Sequence, residues 1–123
     1  MNVESQNTKP SYEVFRKKVD GKEVGFIEIE RTDTTPPYIY VAGLSVSEDF
    51  RSGGVASTLL EKVEKIIKKE NKIGFLVNAI SGPGYALYQK RGWRQVENAA
   101  ELYVYNVPAH LSDKELSRLF YSA

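Results

Sequence analysis

Apolar and polar positions alternate along the first third of the chain, and then the period changes. Tyr12–Val19 mixes β-forming residues with charges in partial alternation and reads as a strand. Asp20-Gly21 supplies a hairpin turn, and Glu23–Arg31 reads as the returning strand, with Phe26, Ile27 and Ile29 set among charges. Thr32–Pro37 is a loop closed by two prolines. Tyr38–Val46 is apolar on both faces, as a central strand should be, and completes a three-stranded meander. Val55, Leu59, Leu60, Val63, Ile66 and Ile67 then recur at helical spacing. Glu61/Lys65 and Glu64/Lys68 are four residues apart in the favourable order for helical ion pairs. This helix ends around 69–71, and Ile73–Val77 follows as a short strand. A strand–helix–strand order makes Tyr38–Val46 and Ile73–Val77 parallel neighbours. Gly82-Pro83-Gly84 breaks the chain before a short helix, Tyr85–Lys90, which stops at Gly92. Trp93–Val96 and Leu102–Val107 read as a last antiparallel pair. Ser112-Asp113-Lys114-Glu115 is a capping box that opens a terminal helix with Leu116, Leu119 and Phe120 on one stripe.

The chain has 123 residues, of which 41% are hydrophobic, enough for one core. Residues 1–10 are polar and read as a flexible leader, with 11–123 as a single domain. The formal net charge of +1 gives no large basic footprint for nucleic acid, so direct nucleic-acid binding is not indicated. There is no cysteine and one histidine, His110, which reads as a surface residue. No disulfide, thiolate nucleophile or His/Cys metal set can form, and no metal is expected. No apolar run is long enough for a bilayer, and the polar N-terminus is not a signal peptide. The expectation is a soluble, cytoplasmic protein with no membrane partner.

Candidate chemistry concentrates in Phe50-Arg51-Ser52-Gly53-Gly54-Val55-Ala56-Ser57, between the central strand and the long helix. Strand, basic glycine turn and helix together build an anion cradle. Gly53 and Gly54 keep side chains away so that amides can converge, and the helix N-terminus adds its dipole. Ala56 is small enough for close approach, and Arg51 adds positive charge. The bland reading is a glycine-rich turn before any helix.

Two blocks narrow this. Leu44–Leu60 carries Arg51, Gly54 and Ala56 at the fixed places of an Arg/Gln-x-x-Gly-x-Gly/Ala motif. Ala86-Leu87-Tyr88-Gln89-Lys90-Arg91-Gly92-Trp93 carries an LY-x-x-x-G-aromatic block. Together they resemble the GNAT family, the Gcn5-related N-acetyltransferases, with Trp93 in place of the usual Phe. The resemblance covers 44–93 by motif and the meander by topology alone. It implies an α/β (α+β) fold: a mixed, mostly antiparallel central sheet with a parallel, splayed strand pair, flanked by helices. It implies acetyl-CoA as donor, with Arg51, Ser52, Gly53, Gly54, Val55, Ala56 and Ser57 at the pyrophosphate. Backbone near Leu44 and Val46 would hold the pantetheine arm. Tyr88 falls where many members carry a general acid; a core aromatic is the other reading. Lys90 and Arg91 read equally as contacts to the 3′-phosphate of CoA or as a solvated basic face. Ser81 replaces an Asn common in the family, and Asn78 is a substitute or simply a strand-end residue.

The resemblance also leaves gaps. Tyr38–Val46 holds no carboxylate to serve as general base. Glu28 and Glu30 share one face of the neighbouring strand and point to the acceptor cleft or, the favoured reading, to solvent. The tight connection at Asp20-Gly21 leaves no room for the helices that typical members place between their first two strands. An open cleft is therefore expected, suited to an amine acceptor on a protein or a bulky molecule. The function implied is direct transfer of acetyl from acetyl-CoA to a primary amine; the alternative is an inactive GNAT-fold binding or inhibitor protein. The edges of a small sheet and the Leu116/Leu119/Phe120 stripe offer surfaces for a homodimer.

Overall fold

The computed structural model describes residues 10–78 and 84–122. Six strands form one sheet in the order β1-β2-β3-β4-β6-β5. They are β1 (Tyr12–Val19), β2 (Lys22–Arg31), β3 (Tyr38–Val46), β4 (Ile73–Val77), β5 (Arg94–Gln95) and β6 (Leu102–Tyr105). The helices are α1 (Val55–Lys69), α2 (Gly84–Lys90) and α3 (Asp113–Tyr121). The β3–β4 pair is parallel and the others are antiparallel, as expected from the element order. Asp20 and Gly21 take φ of 51° and 78°, the left-handed values that a two-residue hairpin turn requires, so β1 runs straight into β2.

The two-sided apolar character of β3 is explained by two cores. Ile39 and Val41 pack on one face with Leu59, Leu60, Val63 and Ile67 of α1. Tyr38 and Tyr40 pack on the other with Phe75, Leu116 and Phe120. The α3 stripe thus covers its own sheet. Leu116 is fully buried, Leu119 and Phe120 are partly buried, and Phe120 lies 5.1 Å, ring to ring, from Phe75.

The last hairpin is shorter than its sequence pattern suggests. β5 keeps only Arg94 and Gln95, and β6 stops at Tyr105 because Asn106 turns left-handed at φ 61°. Trp93 leaves the ladder to fill the core beside Tyr105, with centroids 5.1 Å apart. The capping box forms as read: Ser112 Oγ accepts from the Glu115 amide, and the Glu115 carboxylate accepts from the Ser112 amide.

Two ion pairs tie helices to the sheet. Arg31 donates from Nη2 to Glu70 at 2.8 Å and from Nε at 2.9 Å, joining the end of β2 to the end of α1. Arg94 grips Asp113 at 2.8 and 2.9 Å, and the Glu97 amide donates to the same carboxylate. The Arg31 guanidinium, and then Lys72, hold Glu70 below the usual carboxylate range. Arg94, and then the Glu97 amide, do the same for Asp113. A carboxylate depressed on folding stabilises above its unfolded pKa, and that contribution is lost as pH falls through the folded value. Melting temperature should therefore fall below about pH 4, and Glu70→Gln should lower it at neutral pH while flattening the acid limb. Calorimetry across pH checks this; an unchanged acid limb in Glu70→Gln would show that the pair contributes nothing.

Candidate functional site

The site begins with a fault in a strand. β3 pairs with β4 from Tyr38 opposite Ile73 to Val41 opposite Leu76, and no further. On its other side β3 continues along β2, but the register slips between Glu28 and Ile29. Glu28 faces Gly43 while Ile29 faces Val41, so Ala42 is an extra residue, a β-bulge. Such a bulge bends the strand and increases its twist. It also reverses the side-chain phase. Ile39 and Val41 face α1 before it, and Leu44 and Val46 pack toward the same core after it. From Gly43 to Val46 the β4 side of β3 carries no ladder partner among the described residues.

The turn after β3 leads to the second half of the site. Glu48–Phe50 form a single 3-10 turn, and Gly54 precedes α1 at φ 81° in the left-handed region. A side chain there would be strained whatever the space, and a Cβ would meet nothing within 4 Å. No side chain caps α1, and its first turn has no acidic residue, whereas Lys68 and Lys69 occupy its last turn. The amides of Val55, Ala56 and Ser57 find no acceptor among the described residues; Thr58 is the first to bond back, to Gly54 O at 3.0 Å. The positive end of a fifteen-residue helix is thus left for an anion. Arg51 stands beside it, tied by Nε to Val46 O at 3.2 Å.

Strand edge and helix end open into one cavity of about 670 Å³, walled by Leu44, Ser45, Val46, Arg51, Ser52, Gly54, Ala56, Ser57, Asn78, Gly84, Leu87 and Tyr88. Two of the residues read from the turn are not walls. Val55 turns its side chain into the core, and Gly53 lies behind the rim, bonded through its amide to Phe50 O. Tyr88 is 8% exposed and belongs both to the core and to the cavity wall, so the two readings of it are not exclusive. Its ring has room because residue 84 is a glycine; a Cβ there would sit 2.9 Å from Tyr88 Cε2. Burial, and then the neighbouring Tyr103, push the Tyr88 phenol above its ordinary pKa, so it stays protonated at neutral pH. Ser81 lies outside the described residues, as do Gly82 and Pro83.

Other candidates are placed elsewhere. Lys90 and Arg91 line a separate cavity with Glu64, Lys65, Lys68 and Tyr105. Arg91 is committed to Glu64 at 2.7 and 3.0 Å, and Trp93 Nε1 donates to the same carboxylate at 2.8 Å. Glu64 is 4% exposed; it is a clamp between α1 and the Arg91-Gly92-Trp93 turn rather than a surface partner of Lys68. Its helical spacing put it on the exposed side of the stripe. The Arg91 and Trp93 donors downstream were the available signal. Glu28 lies on the sheet face away from α1, its carboxylate 3.6 Å from where a Gly43 Cβ would be. α3 is not among the walls of the cavity, so the C-terminal segment leaves it open. No group of residues suited to a metal ion occurs among the described residues, and no described helix is long and apolar enough to cross a membrane.

A family model, that of the acetyltransferase (GNAT) family, matches residues 3–93, well over half the chain. The chain belongs to the GNAT acetyltransferase family. Solved structures share the GNAT fold. The PaiA N-acetyltransferase of Thermoplasma acidophilum, in complex with coenzyme A, is 21% identical with a TM-score of 0.65, over 83% of this chain and 64% of that one. A GNAT acetyltransferase of Staphylococcus aureus is 18% identical with a TM-score of 0.67, over 87% and 75%. A Bacillus anthracis protein with acetyl coenzyme A bound is 19% identical with a TM-score of 0.61, over 78% and 61%. The chain thus spans just under two thirds of the PaiA structure's length. No curated relative matches it. In this GNAT chain the Glu64 clamp should be a stability determinant. Removing one partner of a buried pair typically costs about 3–5 kcal/mol, so Glu64→Ala should lower the urea midpoint strongly. A midpoint within error of the parent would show the clamp to be dispensable.

Proposed function

We propose that this chain is an acetyl-CoA-dependent N-acetyltransferase acting by direct attack of a primary amine within a ternary complex. The observation that carries the reading is the meeting, in one cavity, of a β3 edge and a helix N-terminus that have no partner among the described residues with the Tyr88 phenol. Each fits a part of acetyl-CoA. The amides of α1's first turn, with Arg51 and Ser52, suit the pyrophosphate. The β3 edge at Leu44 and Val46 suits a pantetheine arm, whose amides can bond like an added strand. Tyr88, in the wall of the cavity, holds a proton. Acetyl-CoA supplies the activated acyl group as a thioester.

The chemistry needs little more. The amine nitrogen bonds to the acyl carbon, the C–S bond breaks, and its electron pair passes to sulfur. Tyr88 gives that sulfur a proton, and the nitrogen sheds one to water. With no cysteine in the chain, direct transfer is favoured over a thiol-borne acyl intermediate. The acceptor is a primary amine, on a protein or a bulky molecule. The tight β1–β2 hairpin and the remote position of α3 support this, because neither closes over the slot. Residues 11–123 act as one domain, in the cytoplasm.

Thermal melting with acetyl-CoA, paired with CoA release on a panel of amines including a lysine-rich peptide, tests this reading. Ligand at 100-fold over its dissociation constant adds about 2.7 kcal/mol of stability. Melting unchanged by acetyl-CoA overturns the reading; a shift without CoA release on any amine turns it into that of a binding protein. Tyr88→Phe should slow turnover by about 10²–10⁴-fold with the acetyl-CoA shift retained. Gly54→Val should instead abolish the shift, because the turn cannot hold its left-handed φ with a branched side chain. Equal loss of both readouts in Tyr88→Phe would make Tyr88 a packing residue.

A further inference from the structure

Glu28 is a charged group that the mechanism above leaves unused. It is half-buried on the sheet face away from α1, and its partner across the strands is Gly43. Its carboxylate lies 3.6 Å from where a Gly43 Cβ would stand, so the missing side chain lets an acid from β2 lie over the backbone of β3. The Tyr12 hydroxyl donates to that carboxylate, which raises the Tyr12 phenol above its ordinary pKa. Among the described residues no lysine or arginine forms an ion pair with Glu28. Arg16, diagonal to it on β1, is committed to Glu23 at 2.9 Å. Gly43 in turn lies just past the last β3–β4 pair, at Val41, while Arg51 and the start of α1 lie beyond the other end of the unpaired stretch. A donor with its pyrophosphate at α1 and its arm along Val46 and Leu44 therefore brings its acyl group toward Gly43. Leu44 packs on the α1 side of β3, Ser45 by alternation is on the Glu28 side, and both line the cavity. Tyr88 belongs to the α1 side and Glu28 to the other.

We infer that Glu28 is the specificity-determining residue for the acceptor: its carboxylate docks the acceptor as an ammonium ion, over Gly43 and on the face of the sheet opposite Tyr88. The inference rests on the proposed donor reading of the slot. A half-buried carboxylate whose only described partner is a neutral hydroxyl keeps free lone pairs and an unbalanced charge, and an N–H donor that carries positive charge answers both. The substrate class this selects is the aliphatic primary amine, which with a pKa of about 10.4 for a lysine-type chain is charged at neutral pH. Aromatic amines are uncharged there and gain nothing from Glu28. The docked ammonium gives one proton to water, and the neutral amine attacks the acyl carbon from the Glu28 face while Tyr88 protonates the departing sulfur.

The test is Glu28→Gln, which keeps the size of the side chain and an oxygen for Tyr12 but loses the charge. The ratio of kcat/KM for a lysine-rich peptide to kcat/KM for an arylamine should fall about tenfold, through KM for the peptide, and Glu28→Asp should restore part of it. A merely structural role would lower both values together. A second readout needs no turnover. With CoA bound and no acetyl group to transfer, the Gly43 amide signal in proton–nitrogen NMR should move on titration with the peptide, and not with the same peptide acetylated on its lysines. Glu28→Gln should abolish that movement. An unchanged ratio, or a Gly43 signal in the parent that the peptide leaves unmoved, overturns the inference. A Gly43 response without CoA release on any amine overturns the enzyme reading alone and leaves the docking of the ammonium standing.

Discussion

The parallel pair β3–β4 holds together for four residues and then parts, and the rest of the site is arranged around that parting. β4 ends one residue later, at Val77, while β3 runs on to Val46. Here Ala42 adds a residue to β3, bends it, and turns Leu44 and Val46 toward the core that Ile39 and Val41 already occupy. The bend delivers the chain to the Arg51–Gly54 turn, and the turn delivers α1 with its N-terminus facing the gap. An open strand edge and an open helix end are both liabilities in a folded protein, because their backbone groups lack partners. Their convergence on one cavity is what makes the site a site.

The second constraint is the clamp at Glu64. α2 has only seven residues and little area with which to hold its own orientation. Glu64 fastens Arg91 and Trp93, just past its end, to the middle of α1. The Arg91 and Trp93 amides both donate to Tyr88 O. The residue that faces the slot is thus held by the same turn that the buried carboxylate fixes. A carboxylate removed from solvent thus helps to hold Tyr88 in the wall of the cavity.

Most of the fold was legible because its signals are local. The hairpin at Asp20-Gly21, the helical period of α1, the capping box of α3 and the strand–helix–strand order each depend on neighbours in sequence. The errors came where distant groups decide. Glu64 has the spacing of a surface ion pair, and only the approach of Arg91 and Trp93, 27 and 29 residues later, makes its burial sustainable. Likewise only the sheet decides that Leu116 of the α3 stripe is spent on the face that carries Tyr38 and Phe75. The bulge did leave a trace. Ile39, Val41, Leu44 and Val46 are spaced two, three and two apart, a slip of one in a period of two.

By itself the sequence determined the class of the fold and the position of the glycine turn before α1. These follow from glycine conformation, residue size and apolar period, which act over a few residues at a time. Tertiary structure alone decided that Glu64 is buried and that Arg91 serves it. Those outcomes depend on which strands lie next to one another and how far they are bent. A hydrogen bond or its absence is a matter of a few ångströms between groups that the chain order keeps far apart.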